Sequence, residues 1–345
     1  MGWLSRWLGR KPDSSPQPSR PSAESIPADW ASSPPHLALL QRFLSLRDAR
    51  TGVPDHWEPM FGTHPRNIVE SLRALHLLEP ASLAETIEFC HTGAELKKLL
   101  AARGLKVSGR KAEQAQRLLD ADPEAMRRIS VEHEIVRCTP AASQAVQAWL
   151  DYQARALEAA TDETIAALRR GQWKTAIQIA DAYRDKRFEP PVHPAQEALT
   201  IRPEPPTIND RISDLARMFA MRPKILKGLD LEQWEGLHLN YAIWQLLGHS
   251  ATEKCMPGFA GLGAMDAATV MRMMGFYERH RCDLEQWRKL GVKKASISCT
   301  KSGSCDACIA LDEKTYRLDK LPEFPYEGCT CALGCRCFYS PDMDL

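Results

Sequence analysis

The cysteine thiols of this sequence gather near its carboxyl end, where their spacing fits metal binding. Cys305 and Cys308 form a C-x2-C pair, in which two thiolates can hold one tetrahedral ion. About twenty residues later a second set follows, a separation that is usual for zinc ribbons. This second set consists of Cys329, Cys331, Cys335 and Cys337. The sequence therefore predicts a zinc site whose ligands come from these six cysteines.

The spacing leaves the second pair of zinc ligands open. Cys331 with Cys335 is the cleanest pair by spacing alone. The alternatives join Cys329 to Cys335 or to Cys337, and a site that uses Cys299 is a further one.

The ligand types favour a structural ion over a catalytic one. Catalytic zinc keeps an open position and usually recruits a histidine or a carboxylate with a base nearby. The last histidine is His280, upstream of the cluster, which argues against an HNH-type nuclease and against a deaminase with its His-x-Glu signature. We expect a structural zinc ion that contributes on the order of 10 kcal/mol to folding.

Positive charge is the second chemical signal, and it is local. The whole chain carries Lys+Arg 45 against Asp+Glu 44, which excludes a uniformly basic nucleic-acid coat. Between Ala94 and Leu119, however, seven cations stand against only Glu95 and Glu113. The cations are Lys97, Lys98, Arg103, Lys106, Arg110, Lys111 and Arg117. Such a patch either binds phosphates or is a solvated basic face.

Helix signals place these cations on a hairpin of two helices. Thr92 with Glu95 is a capping box that opens the first helix. Gly104 fits the left-handed residue that ends it, and Ser108 is the expected cap of the second. The apolar faces expected to pair are Leu96, Leu99 and Leu100 on the first helix and Ala112, Ala115, Leu118 and Leu119 on the second.

The start of the second helix concentrates charge where the helix dipole disfavours it. Arg110 and Lys111 are expected in its first turn, where each cation costs about 0.3–1 kcal/mol. Gly109 exposes the backbone amides at the same point. A phosphate bound to those amides reverses the sign of both effects, so the arrangement predicts a phosphate contact.

The order Glu-Leu-Lys, Arg-Gly-Leu, Ser-Gly-Arg-Lys-Ala-Glu and Arg-Leu-Leu within residues 92–121 resembles the SAP motif, a two-helix DNA-binding element. The resemblance implies contact with duplex DNA through its phosphates, with weak sequence preference. Gln114 stands where the family usually has leucine. By position, the implied contacts are Lys97, Lys106, Ser108, Gly109, Arg110 and Lys111. A hairpin below about 40 residues rarely folds alone, so we expect it to pack against the helices on either side.

The remaining sequence predicts a mostly α, multi-domain protein with a small zinc-stapled α+β module at the carboxyl end. The motif KKASIS, residues 293–298, is the first plausible strand. The predicted organisation is a disordered amphipathic segment and Pro/Ser linker at 1–35, a helical domain at 36–188, a Pro-rich linker at 189–206, a helical domain at 207–292 and the Cys-rich module at 293–345.

The carboxyl-terminal residues also resemble the corresponding module of phage Mu F-type head morphogenesis proteins. The similarity lies in a helix, a short strand, CDACIALDEKTYRL and a terminal Cys-Arg-Cys. That family typically has a histidine before the final Cys-Arg-Cys, where this chain has Tyr326 and Cys329. The resemblance implies a bacterial, phage-related origin and a protein partner for the module.

These signals favour a non-enzymatic DNA-binding protein. No Gly-rich phosphate loop, nucleophile elbow or HExxH motif occurs in the sequence. No stretch approaches 18 uninterrupted apolar residues and no export signal is recognisable, so we expect a cytoplasmic protein without a membrane span. The alternative is a phage-derived assembly protein that uses the hairpin and the zinc module for protein contacts.

Overall fold

The computed structural model of the chain describes residues 29–193 and 206–342. The described residues divide into two compact units, one within 1–153 and 188–202 and the other within 154–187 and 203–345. The fold is mostly α, as predicted. Residues 1–28, which include the predicted amphipathic segment, lie outside the described residues. So do residues 194–205 of the predicted 189–206 linker. The domain boundaries expected from the sequence stay predictions.

The first unit consists of short helices around a small sheet. Its helices are α1 (Pro34–Gln41), α2 (Glu58–Phe61), α3 (Pro65–Ala74), α4 (Leu83–Cys90), α5 (Gly93–Ala101), α6 (Lys111–Ala121) and α7 (Pro123–Ser130). A long helix, α8 (Pro140–Arg169), begins in this unit and ends in the other. The strands are β1 (Arg47–Asp48), β2 (Leu78–Pro80) and β3 (Ile135–Cys138).

The sheet of the first unit was not predicted. β3 lies between β1 and β2 and is antiparallel to both, with Val136 opposite Arg47 and Cys138 opposite Leu78. The expectation that residues 293–298 form the first strand is therefore wrong. Two- to four-residue strands are too short to show an alternating pattern that a sequence could reveal.

Two separate apolar clusters form the core of the first unit. The larger one joins α1 and α3 to the sheet and to the start of α8, and includes Phe43, Leu72 and Val136. The smaller one lies among α4, α5, α6 and α7 and contains no residue of the larger cluster. The basic hairpin thus belongs to a four-helix subdomain with its own apolar cluster.

The second unit is built on longer helices. They are the end of α8, α9 (Trp173–Lys186), α10 (Ile208–Ala220), α11 (Leu231–Leu247), α12 (Ala267–Lys289) and the single turn α13 (Asp306–Ile309). The strands are β4 (Gly261–Leu262), β5 (Met265–Asp266), β6 (Lys294–Ser298), β7 (Thr315–Arg317) and β8 (Phe338–Asp342). One continuous core holds Trp234, Met273 and Met274 together with Ile297 of the terminal sheet.

The carboxyl-terminal module is α+β, as predicted. β6 is the central strand of an antiparallel sheet in the order β7-β6-β8, with Ala295 opposite Tyr316 and Ile297 opposite Tyr339. The strand at KKASIS is thus confirmed, although it is not the first. Across the described ranges, none of the helices combines the length and the hydropathy that crossing a bilayer requires.

Candidate nucleic-acid interface and metal centre

The first helix of the basic hairpin, α5, begins at the predicted capping box. The Thr92 amide donates to Glu95 Oε2 over 2.6 Å, and the Glu95 amide donates to Thr92 Oγ1 over 3.3 Å. These bonds satisfy two amides that the helix itself leaves unpaired. Hydrogen bonds from the backbone and the hydroxyl of Thr92 also lower the pKa of Glu95.

The end of α5 is the predicted left-handed turn. Gly104 has φ 64°, and the amide of Leu105 donates to the carbonyl of Leu100 over 3.0 Å. This bond closes a Schellman motif, and Leu105 packs against the same cluster as Leu100. The turn therefore fixes where the chain leaves α5 and enters the loop of residues 105–110.

The second helix, α6, begins later than predicted. Its N-cap is Arg110, not Ser108, and Lys111 is the first helical residue. The carboxylate of Glu113 accepts from the Arg110 amide over 3.2 Å, which takes one of the amides expected to hold a phosphate. Gly109 has φ 116°, and a Cβ there would lie 2.5 Å from Glu113 Oε2. The loop thus needs glycine at this position for both its backbone angle and its space.

The interior of the hairpin is shared with both neighbouring helices. Leu96, Leu100 and Leu118 are fully buried and contact Ile87 of α4 and Met126 of α7. The prediction that the hairpin packs against its flanks is confirmed. The expected inner face of α6 is wrong at one place, since Ala112 is exposed.

The side chain of Gln114 points inward, toward the loop of residues 105–110. Only 2% of this residue is exposed, and its Nε2 donates to the carbonyls of Val107 at 2.9 Å and Gly109 at 3.0 Å. The side-chain amide therefore ties α6 to the loop that carries the predicted DNA contacts. Leucine, the usual residue of the family, can form neither bond.

Two of the seven predicted DNA-binding cations are used inside the hairpin. Arg103 pairs with Asp122 at 3.0 Å and donates to the Leu99 carbonyl at 3.2 Å. Arg117 donates to the carbonyls of Lys106 and Ser108, the second at 3.2 Å. Arg117 thus holds the loop between the helices, and Arg103 ties the end of α5 to the junction of α6 and α7 at Asp122. Charge counting could not reveal either role.

The other five cations have no ion-pair partner in the part of the chain that the structure describes. Lys97 and Lys98 are exposed on α5, Lys106 and Arg110 are exposed on the loop, and Lys111 is half-buried at the start of α6. Ser108 and Gly109 are exposed beside them. The arrangement leaves a cationic surface free for an anionic ligand.

The predicted zinc ligands come together in the carboxyl-terminal module. Cys305 is the N-cap of the short helix α13 and Cys308 lies within it. Their thiols and those of Cys329 and Cys331 all lie within 4.8 Å of one another. Spacing alone had favoured Cys331 with Cys335, whereas the structure gathers Cys329 and Cys331 around the first pair. These four thiols could hold a metal ion.

Hydrogen bonds shape this thiol group. The Cys305 amide donates to Cys331 Sγ over 3.1 Å, and the Thr330 amide donates to Cys305 Sγ over 3.4 Å. Burial alone would raise the pKa of Cys305, but amide donors from Thr330 and Cys308 outweigh it and bring that pKa to about 6. Amide donors stabilise thiolates, which are the form that binds metal. The 4.0 Å between the sulfurs of Cys305 and Cys329 is close to the edge of about 3.8 Å of a ZnS4 tetrahedron.

A second group of thiols lies next to the first. Cys308, Cys335 and Cys337 have their sulfurs within 4.8 Å of one another, and all three are buried. The turn that leads into Cys335 and Cys337 packs against α12, because a Cβ at Gly334 would lie 2.4 Å from Met273 Cε. Cys299 Sγ lies 2.8 Å from Cys337 Sγ, so the cysteine of the remaining sequence alternative lies beside this group.

Comparisons with known proteins bear on the hairpin alone. Neither the curated proteins nor the solved structures contain a match to the chain. The resemblance to phage Mu F-type proteins stays a prediction. A scan against protein-family models matches residues 92–123 to the SAP domain, which confirms the resemblance of residues 92–121 and indicates nucleic-acid binding. The hairpin α5–α6 is therefore a SAP domain.

Proposed function

We propose that this protein is a non-enzymatic DNA-binding protein that contacts the phosphates of duplex DNA through its SAP hairpin. The observation that carries the proposal is the division of the seven cations. Arg103 and Arg117 are bonded within the hairpin, while the other five cations lie on its two helices and its loop without an ion-pair partner in the described residues. Phosphate contacts of this kind supply affinity with little sequence preference.

The start of α6 is the proposed centre of the surface that contacts DNA phosphates. The amides of Lys111 and Ala112 precede the first intrahelical bond and point out of the helix end, where the dipole is positive. A phosphate there would accept from these amides and from the side chains of Arg110 and Lys111. Glu113 leaves them free because its carboxylate bonds the Arg110 amide instead.

Charge reversal at this centre tests the proposal. We expect the double variant Arg110→Glu with Lys111→Glu to lose measurable duplex binding in gel shifts at low salt. The matched control, Arg66→Glu with Lys174→Glu, reverses two exposed cations outside the hairpin and should bind like the wild type. Equal binding by the two double variants, or no binding by the wild type at low salt, would refute the DNA proposal.

We further propose zinc as the metal of the cysteine cluster, in a structural role. Four thiolates in tetrahedral reach of one another are the donor set that zinc prefers, and a site with four protein ligands has no open position for catalysis. The bound ion would fasten the turn at Cys305 to the loop that holds Cys329 and Cys331. Elemental analysis of the purified full chain tests the metal, and a chain without zinc would refute this part.

A further inference from the structure

The two thiol groups of the carboxyl-terminal module share one member, Cys308. We propose that the cluster holds two zinc ions bridged by the Cys308 thiolate. The first ion is the one of the proposed function, on which this inference rests. The second has as ligands Cys299, Cys308, Cys335 and Cys337.

The second group has the features of a site once the first is filled. Cys335 and Cys337 are 1% and 3% exposed, and with Cys308 at 1% they form a tight triangle of buried thiols. The first ion takes only Cys308 from this triangle, so Cys335 and Cys337 do not bind it. A thiolate has lone pairs for two metals, so Cys308 can serve both ions.

Cys299 supplies the fourth ligand that a closed tetrahedral site requires. It follows β6, and its amide is held by Asp312 Oδ1 at 2.8 Å. Its sulfur lies 2.8 Å from that of Cys337 and 3.1 Å from the Cys308 carbonyl. Two thiolates on one zinc ion lie about 3.8 Å apart, so the two sulfurs separate by about 1 Å when the ion binds. Cys299 is outside the group of sulfurs that all lie within 4.8 Å of one another, so binding of the ion must also draw its thiol toward the other ligands.

The charge around the cluster fits an anionic centre. Seven thiolates and two divalent ions carry a net charge of −3. Arg336 lies between Cys335 and Cys337, and its Nη2 donates to the carbonyls of Ser302 and Gly303 at 3.4 and 3.2 Å. Its Nε is buried and has no hydrogen-bond partner in the described part of the chain. The positive charge of Arg336, carried between two of the proposed ligands in the sequence, offsets part of the negative charge of the metal–thiolate cluster.

Metal counting on the full-length protein tests the second ion. We expect elemental analysis to find two zinc ions per chain, and one in the variant Cys299→Ser. The control Cys282→Ser changes an exposed cysteine outside the cluster and should keep two. In the cadmium-113 form, we expect two resonances from the wild type, split by coupling through the shared sulfur of Cys308.

The outcomes separate this inference from the proposal on which it rests. One zinc per wild-type chain, with Cys299, Cys335 and Cys337 open to alkylation, would overturn the second ion and leave the first intact. No zinc would overturn both. Two cadmium resonances without mutual coupling would overturn the bridge. The wild-type measurements decide even where a variant fails to fold.

Discussion

Replacing Lys106 and Lys111 by glutamine removes two of the five cations that have no ion-pair partner in the described chain. Replacing Arg103 and Arg117 by glutamine removes the same charge, but from side chains that are bonded within the hairpin. The two double variants therefore separate contact with DNA from positioning of the contact surface.

The expected difference lies in the salt dependence. If the five cations each neutralise one phosphate, the slope of log affinity against log salt is about −4.5, since each contact contributes about −0.9. Loss of two contacts changes the slope to about −2.7 and lowers affinity at 0.1 M salt about sixtyfold. The arginine variant destabilises the hairpin and therefore binds DNA more weakly. It keeps the wild-type slope, because a lower folded fraction reduces the affinity by the same factor at every salt concentration.

Fluorescence anisotropy with a labelled duplex, titrated at several salt concentrations, measures both quantities. Repetition with a duplex of unrelated sequence checks that the lysine variant weakens both duplexes equally. Equal slopes for wild type and the lysine variant would refute the assignment of the contacts. A smaller slope in the arginine variant would show instead that Arg103 or Arg117 contacts DNA itself.

Three further predictions concern the second unit. Cys305→Ser should release zinc and make the carboxyl-terminal module sensitive to protease, whereas Cys282→Ser should change neither; a resistant, metal-free module would contradict the structural role. Burial lowers the pKa of His238 from 6.5 to about 4, although a hydrogen bond to the Met221 carbonyl raises it in part. Protonation therefore favours the unfolded chain, and the free energy of unfolding should fall by about 3 kcal/mol as the pH drops from 6.5 to 4. Urea titration at several pH values measures this change. His238→Leu should remove that part of the pH dependence, and an unchanged profile would disprove the assignment. Gly334→Ala should lower the melting temperature, because φ there is 76° and the new Cβ would meet Met273; an unchanged melting curve would show that the turn can move away from α12.

Local signals predicted the hairpin well. The Thr92 capping box and the Gly104 turn are confirmed, because each depends on residues within one helix turn of each other. The start of α6 was misplaced by two residues, because Ser108 is a stronger cap by type than Arg110. The glutamate three residues after Arg110 was the signal that could have located it.

Tertiary contacts account for what the sequence could not provide. Arg103 bonds to Asp122, and Arg117 bonds to the loop carbonyls of Lys106 and Ser108. Each of these partners lies at least nine residues away along the chain. The inward position of Gln114 depends on two carbonyls that only the folded loop presents. In the cysteine cluster, the composition predicted the ligands, but only folding brings Cys329 and Cys331 beside the first pair.

The interior that α5 and α6 share with α4 and α7 decides how this DNA-binding element could be transplanted. A fragment cut at 92 and 123 would lose Ile87 and Met126, and would expose leucines that they cover. The smallest autonomous piece is therefore expected to run from the Ser82 cap of α4 to the end of α7. Grafting onto an unrelated carrier should respect those wider limits.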